Sequence, residues 1–183
     1  MSEVEQFMRN RDLVSIRRET IDGNSIQGFV LAASDTLVVL QYVYDFHLDG
    51  LMVLRREDIS DIYQSETDEF QQQLLQQEGL LQQVPFDLQI DASSWNTVLP
   101  QLSASHQYLI VESELVDEPD FLIGKMRDLT ETDVTFDTFS GAARWYDEAS
   151  SMPLSDITSC QVGTNYINVY RRHLEMAAGR GLH

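Results

Sequence analysis

The chain has 183 residues, with 12 Lys and Arg against 30 Asp and Glu, so 12 − 30 gives a formal net charge of −18. That balance excludes a protein that binds nucleic acid through its overall charge. A lone cysteine excludes a disulfide scaffold, and no apolar run approaches the roughly 18 residues that a membrane helix needs.

Apolar residues make up 43 % of the chain, enough for a buried core in one large or two small domains. Residues 12–64 alternate apolar runs with Gly, Asp and Asn punctuation, the pattern of short strands. The pattern predicts strands at 13–19, at a long run opening at Gly28, at 37–44 and at 51–56. A one-turn stop at Glu57, Asp58 and Ile59 then precedes a short fifth strand.

Residues 65–106 change character: seven of the thirteen residues 71–83 are Gln, and no basic residue occurs in the zone. Ser65, Thr67 or Asp68 offers a helix cap, and Phe70, Leu74, Gln77 and Leu81 fall on one stripe with Leu75 beside it. An amphipathic helix with a neutral polar face is therefore expected, weakened at Gly79 and ended by Pro85. A second helix is expected after Ser94, using Trp95, Val98, Leu99 and Leu102, with Pro100 kinking or confining it. This zone would cover a sheet face or an edge strand that could otherwise pair with another chain.

Residues 107–176 return to the strand pattern and repeat the first zone. Ile26-Gln27-Gly28 matches Leu122-Ile123-Gly124 at an offset of 96, and Asp35-Thr36-Leu37-Val38 is aligned with Asp133-Val134-Thr135-Phe136 at 98. The residues 54–60 match 152–158, again at 98, so one hairpin is two residues longer in the second copy. Strands are expected at 108–114, 134–139 and 149–154, with a short helix near 171–178 and a frayed Gly179-Arg180-Gly181 tail. A glycine inside a strand pattern signals a bulge or sharp bend, as a small closed barrel requires. Five short bent strands with a tight turn before the last describe an SH3-like or Sm-like barrel. The expected fold is mainly β with α: barrels at 1–64 and 107–183, joined by a helical segment at 65–106.

In these features the chain resembles the Sm-like (LSm) family: a Gly opening the second strand, an Asp at the following turn, an apolar third strand, and a short turn between the fourth and fifth strands. It is also similar to a group of bacterial proteins carrying two such barrels, through Phe121-Leu122-Ile123-Gly124-Lys125 and Asn165-Tyr166-Ile167-Asn168-Val169-Tyr170. The resemblance implies ring assembly and a single-stranded RNA site built on an Asn after the third-strand Asp and an Arg-Gly pair at the end of the fourth strand. Here the Asn position falls at Val38 or Val39 and at Phe136 or Asp137. Arg55 matches the Arg and is the one residual RNA-site residue, but Arg56 replaces the Gly, and Pro153-Leu154 replaces the pair in the second copy.

Charge by zone is 6 − 11 = −5, 0 − 6 = −6 and 6 − 13 = −7, so no zone is locally positive and nucleic acid is a disfavoured partner. The acidic run Glu112, Glu114, Asp117, Glu118 and Asp120 lacks the glycine and spacing of a calcium loop and reads as a solvated turn. Cys160 lies in a strand-like run and reads as a buried thiol, and four scattered His show no ligand spacing. No catalytic motif, cofactor loop or metal site is visible, so no catalytic residue, cofactor or metal is expected.

Two aromatic hairpins remain as the candidate interaction surface: Tyr42, Tyr44, Phe46 and His47 in the first copy, and Arg144, Trp145 and Tyr146 in the second. Exposed Trp, Tyr and Arg dominate interface hot spots; the competing reading has Trp145 capping a core. With no secretory signal at the N-terminus, a cytoplasmic, non-catalytic protein-interaction or assembly module is expected. Its partner is a protein, favoured if basic, and self-association is compatible with the fold. The alternatives are a single-stranded RNA-binding regulator and an acidic inhibitor or immunity-type protein that binds a basic partner.

Overall fold

The computed structural model describes residues 2–179. It contains ten antiparallel strands in one sheet, and four α-helices. The first half runs α1 (Glu3–Asn10), β1 (Leu13–Arg18), β2 (Asp22–Ala33), β3 (Leu37–Tyr44), β4 (His47–Arg55), a 3-10 turn (Arg56–Asp58), β5 (Asp61–Tyr63) and α2 (Glu66–Gln77). After a second 3-10 turn at Leu81–Gln83, the second half runs α3 (Trp95–Ser105), β6 (Leu109–Ser113), β7 (Asp120–Leu129), β8 (Asp133–Thr138) and β9 (Ser150–Pro153). A 3-10 turn (Leu154–Asp156), β10 (Ser159–Val162) and α4 (Asn165–Gly179) complete it. Of the expected tail, Arg180 and Gly181 lie outside the described residues.

The order of elements is thus the same twice: helix, four strands, 3-10 turn, strand, helix. The strand order β5-β1-β2-β3-β4-β10-β6-β7-β8-β9 repeats too, as fifth, first, second, third, fourth in each half. The halves join where β4 pairs with β10, Leu54 opposite Ser159 and Leu51 opposite Val162.

Register fixes the repeat more closely than sequence matching did. The β2–β3 ladder pairs Gly28 with Tyr42 and Val38 with Ala33; the β7–β8 ladder pairs Gly124 with Thr138 and Val134 with Leu129, all at an offset of 96. The expected shift to 98 at Asp35 is corrected. It occurs one connection later, between β3 and β4, where the second copy has the longer hairpin. Gly28 and Gly124 neither open their strands, which begin at Asp22 and Asp120, nor mark the bulge. A Cβ on Gly28 would lie 2.7 Å from the Gln41 carbonyl oxygen, and one on Gly124 would run into the Asp137 carbonyl. The bulges follow three residues later, at Leu31 and Arg127.

The sheet is strongly curled. Arg18 at the end of β1 and Glu114 just beyond β6 form a bidentate ion pair at 2.7 and 3.1 Å. Five inter-strand spacings separate β1 from β6, roughly 24 Å on a flat sheet, far beyond the reach of two side chains.

Each half packs the same positions under its own leading helix. Val38 and Leu40 share a core with Val4 of α1; their counterparts Val134 and Phe136 share one with Trp95, Val98, Leu99 and Leu102 of α3. The second core also takes Leu13, Phe29, Val39 and Val53 from the first half, so it is common to both. A third cluster places Tyr108, Ile110, Ile123 and Phe139 against Ile167 and Leu174 of α4.

The helices correct several sequence expectations. α1 was not anticipated, although Ser2 and Glu5 form a full capping box. α2 does not bury the Phe70 stripe: Phe70 is exposed, and the buried face is Asp68, Gln71 and Leu75. Besides burying Leu75 in the core it docks by polar contacts, because β5 is only three residues long and leaves Leu13, paired with Phe29 on one side, without a strand partner on the other. The Leu13 N–H donates to the Gln72 side chain at 2.7 Å, and the Gln64 amide donates to the Leu13 carbonyl at 3.2 Å. α2 ends at Gln77 with Gly79 left-handed (φ 72°), well before Pro85. α3 runs through Pro100, whose ring is exposed. α4 begins at Asn165, six residues before the expected start.

Candidate functional site

The first hairpin turns on two left-handed residues, Asp45 (φ 46°) and Phe46 (φ 64°), between the paired Tyr44 and His47. Both positive φ values define a type I′ turn, which matches strand twist but suits Asn-Gly far better than Asp-Phe. Tyr44 is 63 % exposed and Phe46 sits open at the tip. Tyr42 is half-buried beside Tyr44, ring centroids 6.1 Å apart, and burial, followed by Asp49, pushes its hydroxyl pKa up. His47 folds back, Nδ1 donating to the Asp45 carbonyl at 2.6 Å.

The second hairpin is closed by the Phe139–Trp145 bridge and by the Tyr146 N–H donating to the Thr138 carbonyl at 3.0 Å. Trp145 combines both sequence readings. Its ring packs 5.4 Å from Phe139 and 6.3 Å from Tyr108, with the Lys125 ammonium 5.5 Å from its centroid, yet 42 % of the residue stays exposed. Arg144 is exposed and its carbonyl accepts from the Ser140 N–H at 2.9 Å.

α4 links the two hairpins. Its Asn165 N–H donates to Asp49, just past the first hairpin, at 2.6 Å, and the Tyr170 hydroxyl donates to the Gly141 carbonyl in the second at 3.0 Å. The helix thereby supplies aromatic residues that sequence reasoning missed. Tyr166 and Tyr170 lie 5.2 Å apart, Phe121 meets Tyr166 at 6.4 Å, and Tyr170 meets Phe139 at 5.2 Å. The available signal is the i, i+4 pair Tyr166 and Tyr170, which falls outside the helix expected at 171–178. Between α4, β7 and the second hairpin lies a groove of 420 Å³ bordered by Phe121, Phe139, Tyr146, Tyr166 and Tyr170. Tyr146 is 59 % exposed, Tyr166 52 % and Phe121 45 %.

Arg55 is engaged elsewhere. Its guanidinium makes a bidentate pair with Asp58 at 2.9 and 2.9 Å and donates to the Ser155 carbonyl of the second half at 3.1 Å. The Asp58 hydrogen bond holds it firmly charged. Cys160 is fully buried in the shared core, and burial, helped by Glu112, raises its thiol pKa far out of the reactive range. Among the described residues no cluster of three or more His, Cys, Asp or Glu could hold a metal ion, and no helix is long and apolar enough to cross a membrane. The chain matches no family model, no curated protein and no solved structure.

Proposed function

We propose that this chain is a non-catalytic, acidic assembly and protein-interaction module made of two Sm-like barrel units. The repeated strand order, the repeated close approach at Gly28 and Gly124, and the curl required by Arg18 and Glu114 support the barrel reading. Its working compartment is the cytoplasm, its preferred partners are basic proteins, and RNA is not its ligand.

The observation that carries the assembly reading is the β4–β10 junction. The chain already pairs a fourth strand with a fifth strand once. The remaining fourth and fifth strands, β9 and β5, are the two ends of the sheet. Repeating the junction between copies sets Met152 opposite Asp61, Ser151 opposite Ile62 and Ser150 opposite Tyr63. Such a contact is heterologous, so it propagates head to tail and either closes or extends.

Sedimentation velocity over a concentration series tests this. Concentration-dependent association is expected, abolished by Ser151→Lys, which charges an exposed edge position without entering a core. A wild-type chain that stays monomeric throughout overturns the reading. Low-salt titration with U-rich and A-rich oligonucleotides should show no binding; a measurable affinity with a steep salt slope would instead make the chain an RNA binder.

A further inference from the structure

The groove between α4 and the second hairpin meets the β9 edge only at Ser150, and its chemistry is specific. Three of its bordering rings, on Phe121, Tyr146 and Tyr166, stand about half exposed on one face. Contiguous exposed apolar surface rimmed by polar residues marks an interaction site. The rings are also held in place. Phe121 packs edge to face on Tyr166, Tyr166 lies against Tyr170, Tyr170 is tied to Gly141, and α4 is anchored through Asn165 to Asp49. A preformed aromatic surface loses little entropy on binding.

Two ligand classes use rows of aromatic rings: single-stranded nucleic acid, whose bases stack on them, and extended proline-containing peptides, whose prolyl rings pack between them. Charge decides between the two. No Lys or Arg lines the groove, and Asp120 does. Exposed Asp117 and Glu118 precede Phe121 in the chain, and exposed Asp147 and Glu148 follow Tyr146. The nearby Arg171 is turned to Glu175 at 3.2 Å. Within the groove lining a phosphodiester would meet the Asp120 carboxylate and no cation, exposed Arg144 of the hairpin lying outside that lining, whereas a Lys or Arg side chain would find a partner.

We propose that this groove binds an extended, polyproline-type segment of a partner protein carrying a basic residue beside its prolines. The volume of 420 Å³ suits two or three residues of such a segment. Polyproline geometry leaves its backbone carbonyls free to accept from tyrosyl hydroxyls of the groove. The proposal rests on the protein-interaction reading of the second hairpin and not on pairing of β5 with β9.

The test is fluorescence anisotropy of labelled peptides titrated with the full chain, monitored alongside its oligomeric state. The probes are a proline-rich peptide with Arg, the same peptide with Glu in place of Arg, an alanine-for-proline version, and an oligothymidylate of similar length. Saturable binding of the first alone is expected, weakening with salt. Tyr166→Ala and Tyr146→Ala should each weaken it about tenfold. Tyr166→Phe, which keeps the ring, should retain most of the affinity and so separates ring contact from a folding defect. No saturable binding of the Arg peptide, equal binding of the Glu peptide, or groove-dependent binding of the oligothymidylate overturns the proposal. Peptide binding by an unassociated chain would sink the assembly reading and leave this one standing.

Discussion

Asp68 is fully buried, yet both carboxylate oxygens are satisfied. One accepts from the Ser15 hydroxyl at 2.9 Å and the Gln27 amide at 2.8 Å, the other from the Ser65 N–H at 2.8 Å and hydroxyl at 2.7 Å. A helix cap is thereby also the bolt between α2 and the sheet. Asp68→Ala should lower unfolding free energy by about 3 kcal/mol, since it orphans the buried Ser15 hydroxyl and the part-buried Gln27 and Ser65 donors at once. A urea titration reads this; a loss below about 1 kcal/mol would mean that the network contributes no more than a surface cap. His106 is held differently. Burial lowers its pKa, with a smaller opposing contribution from the Leu102 backbone. The folded state therefore resists protonation more than the unfolded state does. No penalty exists above the ordinary histidine pKa near 6.5, and stability falls as pH drops below it. His106→Gln should flatten that part of the stability-versus-pH curve; an unchanged slope between wild type and variant would exclude His106 as its source.

At the scale of elements, the type I′ turn at Asp45-Phe46 places a bulky residue where glycine is favoured. A left-handed conformation costs a non-glycine residue roughly 1–2 kcal/mol. Phe46→Gly should therefore stabilise the fold by about 1 kcal/mol, allowing for glycine's greater freedom when unfolded. A shift of the urea midpoint to higher concentration would show it, and a lower midpoint would mean that Phe46 packs at the tip after all. The strands were legible because alternation and turn residues are local: β3 matches its expected bounds at 37–44, and the turn before each fifth strand falls where expected. α2 was legible as a helix but not in its orientation. Its apolar stripe implied burial of Phe70, while the open β5 side of Leu13 is met by the glutamine face. Of the interaction surface, both hairpins were legible as aromatic clusters. The wall formed by Phe121, Tyr166 and Tyr170 was not, because α4 brings it from residues far along the chain.

For the whole molecule, one core spans both halves and the segment between them, joining Leu13 and Val53 to Trp95, Val111 and Cys160. Thermal unfolding should therefore be a single cooperative transition, with matching calorimetric and van't Hoff enthalpies. Two resolved transitions would show that the halves fold independently. The net charge of −18 spread over such a compact chain is self-repelling. Raising salt from low to physiological strength should increase stability by screening it; a constant or falling midpoint would show that ion pairs such as Arg18–Glu114 outweigh the repulsion.

The amino-acid sequence determined what depends on near neighbours: the strands, the capped helices, the repeat, and an acidity shared by both copies. It also placed the aromatic residues in two hairpins, because a hairpin needs only its own turn. Tertiary structure alone decided that β4 pairs with β10 to make one sheet and which ends of that sheet stay unpaired. It also decided that α4 would wall a groove beside the second hairpin. These contacts join residues from 29 positions apart (Tyr170 and Gly141) to 162 − 51 = 111 apart (Leu51 and Val162), chosen by competition among many apolar surfaces, and no local pattern encodes the winner.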